Sequence, residues 1–341
     1  MKEGDVNGEK EDFTRSYEPP FTITPKILDL VSEISAEVAK LEILEPQIIT
    51  PILRKDYKIK TITGTLEIEW NTLGIEKVTA IVEGKRVLGS MREIAEVQGA
   101  IKVYDNLVNF DYKKLDDLLL AHKMLMDEIL TNAGRFRTKD VGVGGSEGVV
   151  HIAPPSGQVH NLMHDLFSWL EITEIHPLIK SCVFHYEFEF IHPFSDGNGR
   201  IGRLWQSLIL HAYKPVFSAI PVESVIKEYQ KSYYDALEAS GSVGESTPFI
   251  EFMLEIILQT IQNTLKTDQV DDYVSDQVEK LLQVMDEQWL SSSEIMRKLE
   301  LSHKPTFRKN YLNPALEHGL VEMREPDSPR SPKQKYKLHK D

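Results

Sequence analysis

Residues 191–203 constrain this chain more than any other stretch, because proline and glycine there interrupt two apolar helical patterns. Residues 177–190 predict a buried helix. Pro193 lacks a backbone donor and disfavours helical geometry at His192, so this helix should end there. Helical spacing resumes over residues 200–211. The stretch is therefore a tight loop between two buried helices, with His192 presented on it.

The polar residues of this loop form a chemically coherent set. Glycines at 197 and 199 let backbone N–H groups converge on an anion at a helix start, and Arg200 and Arg203, one turn apart, offer forked donors to phosphate oxygens. Asp196 is a suitable oxygen ligand for a hard cation. Each residue alone fits a polar turn between core helices. Together with the base His192, they are the parts that phosphoryl or nucleotidyl transfer requires.

Composition limits the class of protein. At 341 residues the chain predicts two or three folded units, and its net charge of −14 argues against a general nucleic-acid binder. We find no apolar run long enough to span a bilayer, and residues 1–18 lack the apolar segment of a secretory signal. The single cysteine, Cys182, excludes an intrachain disulfide. We therefore expect a cytoplasmic protein without membrane contact.

The run from His192 to Arg203 resembles the signature of the Fic family, His-Pro-Phe-x-(Asp/Glu)-Gly-Asn-Gly-Arg-x-x-Arg, and every fixed position is filled. The resemblance extends over roughly residues 45–258. Most Fic proteins transfer AMP from ATP to a hydroxyl side chain of a target protein. The implied fold is mainly α, a Fic-type helical bundle with a short β-hairpin flap, followed here by a small winged helix-turn-helix-like domain.

The same resemblance implies a role for each polar residue of the signature. His192 is the general base, Asp196 binds Mg²⁺, and Arg203 reaches the γ-phosphate of ATP. The α- and β-phosphates are assigned to Gly197, Asn198, Gly199 and Arg200. Tyr229 is a further candidate, for the adenine pocket.

Residues 63–73 carry a second family feature. By itself this stretch predicts a short amphipathic helix with solvent-facing glutamates. Beside the signature it resembles the inhibitory motif of many Fic proteins, (Ser/Thr)-x-x-x-Glu-(Gly/Asn), with Thr65 and Glu69 in the fixed positions and Trp70 in place of the small residue. In the family this glutamate pairs with the second signature arginine. A bidentate Glu69–Arg203 pair would compete with the γ-phosphate.

Residues 136–155 alternate valines around a glycine-rich centre and predict a β-hairpin. Alone, such a hairpin is only a loop. In the Fic family a hairpin at this place is the flap, whose edge aligns the backbone of the target by strand addition. The predicted units are a loosely ordered 1–22, an N-terminal helical region 23–110 with the inhibitory helix near 63–73, a Fic core 111–266, and a C-terminal domain 267–341.

The C-terminal domain predicts three helices, over 274–285, 294–299 and 305–316, and two strands, over 319–323 and 335–338. This order resembles a winged helix-turn-helix. Residues 301–341 hold nine Lys or Arg and five Asp or Glu. The recognition helix would carry Thr306, Arg308, Lys309 and Asn310, which suits phosphate contacts. A protein-docking or dimerisation module is favoured over DNA binding.

Two hypotheses follow. The first is a Mg²⁺-dependent adenylyltransferase that modifies Ser, Thr or Tyr of a target protein, with self-modification and a homodimer left open. The second is a regulatory module, in which the C-terminal domain finds DNA or a partner and the Fic core senses a nucleotide while Glu69 keeps it silent. A Fic enzyme that uses another nucleotide, or that removes AMP, is a further alternative. His160 and His164 lie four apart but lack a third zinc ligand.

Overall fold

The structure is a computed structural model that describes residues 17–339 except 50, 146–147, 268–275, 286–287, 318, 327, 330 and 332. It is mainly helical, with two separate hydrophobic cores. The larger core takes buried residues from Ile27 to Ile261 and so unites the predicted N-terminal region with the predicted Fic core. The smaller core lies within residues 278–336.

The first part of the chain contains eleven helices and one hairpin among its described residues. In order these are α1 Pro25–Ile48, α2 Pro51–Ile68, α3 Gly74–Val82, α4 Met91–Asp105, α5 Leu115–Met126, β1 Gly142–Gly145, β2 Gly148–Ile152, α6 Val159–Ile172, α7 Pro177–Ile191, α8 Asn198–Tyr213, α9 Val222–Glu228, α10 Gln230–Val243 and α11 Thr247–Thr267. β1 and β2 pair antiparallel, which confirms the predicted hairpin.

Helices α7 and α8 form the centre of the larger core. α7 is buried almost all round, and its residues Cys182, Phe184 and Phe188 are wholly buried. α8 packs against α7 and begins at Asn198, two residues earlier than the spacing predicted. The predicted loop between them is present and joins two rigid, buried elements.

Helix α2 differs from the prediction. A short helix near 52–57 and another over 63–73 were expected, but one helix runs from Pro51 to Ile68. Its close contact with α9 explains why Gly64 is tolerated inside it, because a Cβ there would lie 2.7 Å from the Glu223 carbonyl oxygen. The helix ends in a turn in which Trp70 is left-handed, with a φ of 66°. Glu69 therefore lies in the turn just beyond α2.

Two other predicted boundaries moved. Apolar spacing predicts one helix over 222–239, and the Ser-Gly-Ser-Val-Gly run predicts a loop over 240–244. The structure breaks this helix at Tyr229 into α9 and α10, and α10 continues to Val243. The buried Ser240 hydroxyl accepts a hydrogen bond from the Phe249 N–H at 3.0 Å, so tertiary contact outweighs the loop propensity of the Ser-Gly-Ser sequence.

The N-terminal segment is better ordered than expected where it is described. Residues 17–24 are extended, the Tyr17 hydroxyl donates to Glu187 Oε2 at 2.6 Å, and the Ser246 N–H donates to the Pro20 carbonyl at 2.9 Å. Residues 1–16, and most of the linker expected over 267–272, lie outside the described residues.

The C-terminal part contains α12 Asp276–Val284, β3 Leu290–Ser291, α13 Ser292–Lys298, α14 Lys304–Phe307, α15 Asn313–Glu317, β4 Val321–Met323 and β5 Lys335–Leu338. The expected third helix is α14 and α15 joined by a π-helical turn, and β3 adds an unexpected strand. The sheet is antiparallel in the order β3-β5-β4. Ser291 and Glu294 form a capping box at the start of α13.

No helix in the described ranges is long and apolar enough to cross a membrane.

The packing of α2 on α9 gives a test of the fold. We expect Gly64→Ala to lower stability by about 1–3 kcal/mol, because the new Cβ overlaps the α9 backbone. For a domain of this size that corresponds to roughly 2–10 °C in Tm, measurable by calorimetry. Gly241→Ala in α10 is the matched control, since nothing lies within 4 Å of its Cβ position. Equal effects of the two changes would contradict the α2–α9 contact.

Candidate active site

His192 ends helix α7 in a left-handed conformation, with φ 49° and ψ 60°. Its N–H still donates to the Phe188 carbonyl at 2.9 Å. His192 is therefore the last residue whose backbone is hydrogen-bonded to α7. A non-glycine residue adopts this conformation only where the surroundings impose it. Pro193 and the hydrogen bonds of the following loop supply that constraint.

Arg137, which precedes the hairpin, holds the first part of this loop. Its Nε donates to the His192 carbonyl at 2.8 Å and its Nη2 to the Ile191 carbonyl at 3.3 Å. Its own N–H donates to the Pro193 carbonyl at 2.9 Å. Sequence reasoning missed this residue, since 55 residues separate it from His192.

Asn198 and His122 hold the second part. The Asn198 side chain accepts from the Phe194 N–H at 2.8 Å and donates to the Phe194 carbonyl at 2.9 Å. His122 stacks on the Phe194 ring with centroids 3.7 Å apart. The amide group of Asn198 is thus used inside the loop, which leaves its backbone N–H, at the start of α8, for the predicted phosphate contact.

The tautomer of His122 follows from its partners. The Gly134 N–H donates to Nδ1 at 2.8 Å, so Nδ1 accepts, and Nε2–H donates to the Asp196 carbonyl at 3.0 Å. Burial lowers the pKa of His122 to about 4, which keeps the ring neutral at physiological pH. His122 was also missed, because its position in α5 carries no sequence signal for this contact.

Both carboxylate oxygens of Asp196 bind donors. Oδ1 accepts from the Gly197 N–H at 2.6 Å and from Arg200 Nη2 at 2.9 Å. Oδ2 accepts from Arg92 Nη2 at 2.6 Å, an α4 contact that the sequence did not reveal. Arg92 is largely exposed, whereas only 4% of the Arg200 side chain is.

A magnesium ion fits this carboxylate only together with a nucleotide. Among the described residues no group of three His, Cys, Asp or Glu side chains could hold a metal. Mg²⁺, however, is commonly bound through one or two protein carboxylates plus substrate phosphates. Asp196 lies at the rim with 31% of its side chain exposed, so one of its oxygens can turn to such an ion if Arg92 moves away.

Arg203 is the most deeply buried charge of the site, with 1% of its side chain exposed. Its Nε donates to Thr65 Oγ1 at 3.0 Å, and its Nη2 donates to the Thr65 carbonyl at 3.1 Å and to Glu69 Oε1 at 2.8 Å. Burial by itself lowers the pKa of Arg203, but the Glu69 carboxylate raises it above the ordinary value. The predicted Glu69–Arg203 contact exists, with one hydrogen bond instead of the expected two.

Glu69 also covers the glycine loop. A Cβ placed on Gly199 would overlap Glu69 Oε1 and lie 3.0 Å from Arg203 Nη1. Three buried donors nearby have no hydrogen-bond partner within the described structure: Nε and Nη1 of Arg200 and Nη1 of Arg203. Arg200 Nη1 does lie 3.6 Å from a Glu96 carboxylate oxygen. Unsatisfied buried cationic donors are costly, and here they gather at a helix start, which makes this an anion site.

Glu189, on α7, is a second carboxylate near Arg203. Its Oε1 is buried without a hydrogen bond and lies 2.5 Å from where a Gly202 Cβ would be. Burial, opposed by Arg203 and assisted by Glu69, raises the pKa of Glu189 to about 8. The group is thus mostly neutral at pH 7. Sequence reasoning gave it no role.

Tyr229, the candidate for the adenine pocket, is 41% exposed, and its hydroxyl accepts from Gln259 Nε2 on α11 at 3.0 Å. The neighbouring α10 side chains approach the end of α2 instead. Gln230 Nε2 and the Tyr234 hydroxyl both donate to the Ile68 carbonyl, at 2.8 and 3.1 Å. These two contacts hold the end of α2.

Comparison with family models matches residues 112–210 to the Fic/DOC family. Residues 276–339 match the C-terminal domain of Fic-like proteins, described as "Filamentation induced by cAMP protein Fic-like". The first match contains the loop and most of α8, and the second covers the smaller core.

Similar proteins agree with these matches. Protein adenylyltransferase Fic of Culex quinquefasciatus is 31% identical over 214 residues, which is 59% of this chain and 40% of that protein. The chain thus spans less than half the length of this relative. The crystal structure of a Fic family protein from Desulfovibrio desulfuricans G20 superposes with a TM-score of 0.73 at 48% identity, over 95% of this chain and 99% of the other. Fic-1 from C. elegans shares the fold, with a TM-score of 0.57 at 24% identity over 72% of each chain. The chain contains the signature loop with its anion site, and it is 48% identical to the Desulfovibrio Fic family protein along nearly the whole length. It therefore belongs to the Fic family.

Proposed function

We propose that this protein transfers AMP from ATP to a hydroxyl side chain of a target protein. The observation that carries the proposal is the group of unsatisfied donors on Arg200 and Arg203, eight and eleven residues after a histidine held on a constrained loop. The names of the curated relatives, protein adenylyltransferase Fic, support the same reaction. Whether the target residue is Ser, Thr or Tyr is a separate matter of target recognition.

The reaction is a single displacement at phosphorus. The His192 imidazole accepts the proton of the target hydroxyl, and the hydroxyl oxygen forms a bond to the α-phosphorus of ATP. The bond to the bridging oxygen breaks, and pyrophosphate leaves. N–H groups at the start of α8, from Asn198 onward, hold the negative phosphate oxygens together with Arg200, and Arg203 holds the terminal phosphate.

Asp196 is the residue that would hold Mg²⁺. An ion held there would supply positive charge that neutralises the phosphate oxygens on which charge develops. Before ATP binds, the ion pairs with Arg92 and Arg200 neutralise the negative charge of Asp196.

The hairpin β1–β2 is the proposed flap. Its two strands pair only with each other within the described structure, so an outer edge remains to which a target strand can add. The C-terminal unit, with its helices and three-stranded sheet, is proposed as a winged-helix-like docking module for a protein partner.

Autoinhibition is part of the proposal. Glu69 covers Gly199 and takes one donor of Arg203, so a γ-phosphate at Arg203 would meet both a filled volume and a like charge. The resting protein is then an enzyme whose triphosphate site is blocked by its own α2 turn.

Removal of Glu69 should raise activity. We expect Glu69→Gly to increase labelling of lysate proteins, or of the protein itself, by radiolabelled ATP about 10- to 100-fold. A charge-assisted hydrogen bond of about 1.5–3 kcal/mol gives that range. Glu67→Gly is the matched control, because it also removes an acidic residue near the end of α2 but does not contact Arg203.

The histidine variant separates enzyme from sensor. His192→Ala in the Glu69→Gly background should abolish labelling while ATP binding persists. If Glu69→Gly binds ATP yet labels nothing, the nucleotide-sensor hypothesis takes the place of the transferase.

The Asp196 contacts predict a shift in metal dependence. Arg92→Ala should lower the Mg²⁺ concentration that gives half-maximal ATP binding by about two- to fivefold, as expected for loss of one exposed ion pair of up to about 1 kcal/mol. Calorimetric titrations at several Mg²⁺ concentrations measure this directly. Lys102→Ala, which removes an α4 cation paired with Asp127, is the control and should leave the Mg²⁺ dependence unchanged.

A further inference from the structure

Arg137 is a buried cation bound to backbone carbonyl groups. Only 3% of the residue is exposed, and each of its side-chain nitrogens donates to a main-chain oxygen. Burial lowers its pKa, and the charge of Asp140 partly offsets this. A guanidinium is expensive to bury, so its position calls for a physical explanation.

One half of the explanation is the end of α7. The last turn of that helix contains no basic residue, and its terminal carbonyls carry the negative end of the helix dipole. Arg137 donates to the carbonyls of Ile191 and His192 and thereby supplies the missing cationic cap. The cap acts on the left-handed residue that carries the proposed base.

The other half is the hairpin. Arg137 Nη1 donates to the Lys139 carbonyl at 3.0 Å, before β1, and Nη2 donates to the Pro154 carbonyl at 2.5 Å, after β2. The residues at both ends of the flap are therefore hydrogen-bonded to the same guanidinium group that caps α7. Since a guanidinium presents its donors in a fixed fork, the separation of these carbonyls is set by one rigid unit.

We infer that Arg137 is a positioning residue that fixes the distance between the flap edge and the His192 imidazole. The inference rests on the proposed function, in which the flap aligns the target backbone and His192 takes the hydroxyl proton. The flap lies at one end of the Arg137 hydrogen-bond network and would hold the target. His192 lies at the other end and would deprotonate it. Arg137 touches neither ATP nor the target hydroxyl and acts through the main chain.

The phosphate site is held by other residues, which makes the inference testable. Asn198 and His122 fix Phe194 and Asp196, and α8 carries Arg200 and Arg203. Loss of the Arg137 fork should therefore uncouple the flap from His192 and leave ATP binding intact. A residue with only a general structural role would weaken both together.

The experiment compares Arg137→Met and Arg137→Lys in the full-length Glu69→Gly protein. We expect ATP·Mg²⁺ affinity to stay within about twofold, and the labelling rate to fall about 100-fold, the scale of a 1 Å misplacement of reacting groups. Lysine keeps the charge but lacks the fork, so it should rescue folding without rescuing the rate. Arg135→Met is the matched control, because Arg135 lies two residues away and is exposed.

Hydrogen exchange provides a readout independent of catalysis. Amides of 142–145 and 148–152 should exchange faster in Arg137→Met than in Arg135→Met, while those of α8 should not change. The inference is overturned if labelling persists, if ATP affinity falls in parallel with labelling, or if flap exchange is unchanged. Failure of the transferase proposal looks different, since Glu69→Gly with Arg137 intact would then not label at all.

Discussion

The buried charge of Arg203 is the constraint on which the rest of this structure depends. A guanidinium that is almost wholly enclosed needs acceptors, and they come mainly from the end of α2, namely the hydroxyl and carbonyl of Thr65 and the carboxylate of Glu69. Glu189 lies nearby but is mostly neutral at pH 7, because burial raises its pKa to about 8. The N-terminal helices therefore share a core with the signature helices, since α2 must stay close to α8 for Arg203 to be paired. Under the proposed function, regulation and stability use the same contact.

A second dependence concerns the loop, whose backbone is held at nearly every residue. Arg137 binds the carbonyls of residues 191–193, Asn198 binds both polar groups of Phe194, and His122 binds the carbonyl of Asp196. Such complete pairing is what a left-handed histidine requires in order to remain in place. This pairing also separates the residues that fix the loop from those proposed to bind an anion. Because side chains hold the loop, the N–H groups at the start of α8 and the unpaired donors of Arg200 and Arg203 stay available for an anion.

The sequence predicted those parts of the site that are adjacent in the chain. The residues from His192 to Arg203 lie within twelve positions, and their spacing around Pro193 and the glycines indicates the loop and the helix after it. Glu69 could be matched to Arg203 only through the family motif. Arg92, His122 and Arg137 were not predicted, because each reaches the loop across 55 to 104 positions and nothing local marks it. The break at Tyr229 and the strand β3 were missed for a related reason, since tertiary packing decides short elements against local propensity.

The geometry of the α2 turn indicates how small a change would open the site. Gln230 and Tyr234 hold the Ile68 carbonyl, and Gly64 seats α2 on α9, so the helix itself is fixed. Glu69 comes after that fixed end, in a turn where Trp70 adopts a left-handed conformation that costs a β-carbon residue about 1–2 kcal/mol. Its carboxylate makes one hydrogen bond to Arg203, and the two Thr65 bonds do not depend on it. Rotation of one side chain then exposes Gly199 and an arginine donor, while Arg203 keeps enough partners to stay buried. Under the proposed function, a γ-phosphate therefore has to displace a single carboxylate and need not displace a helix.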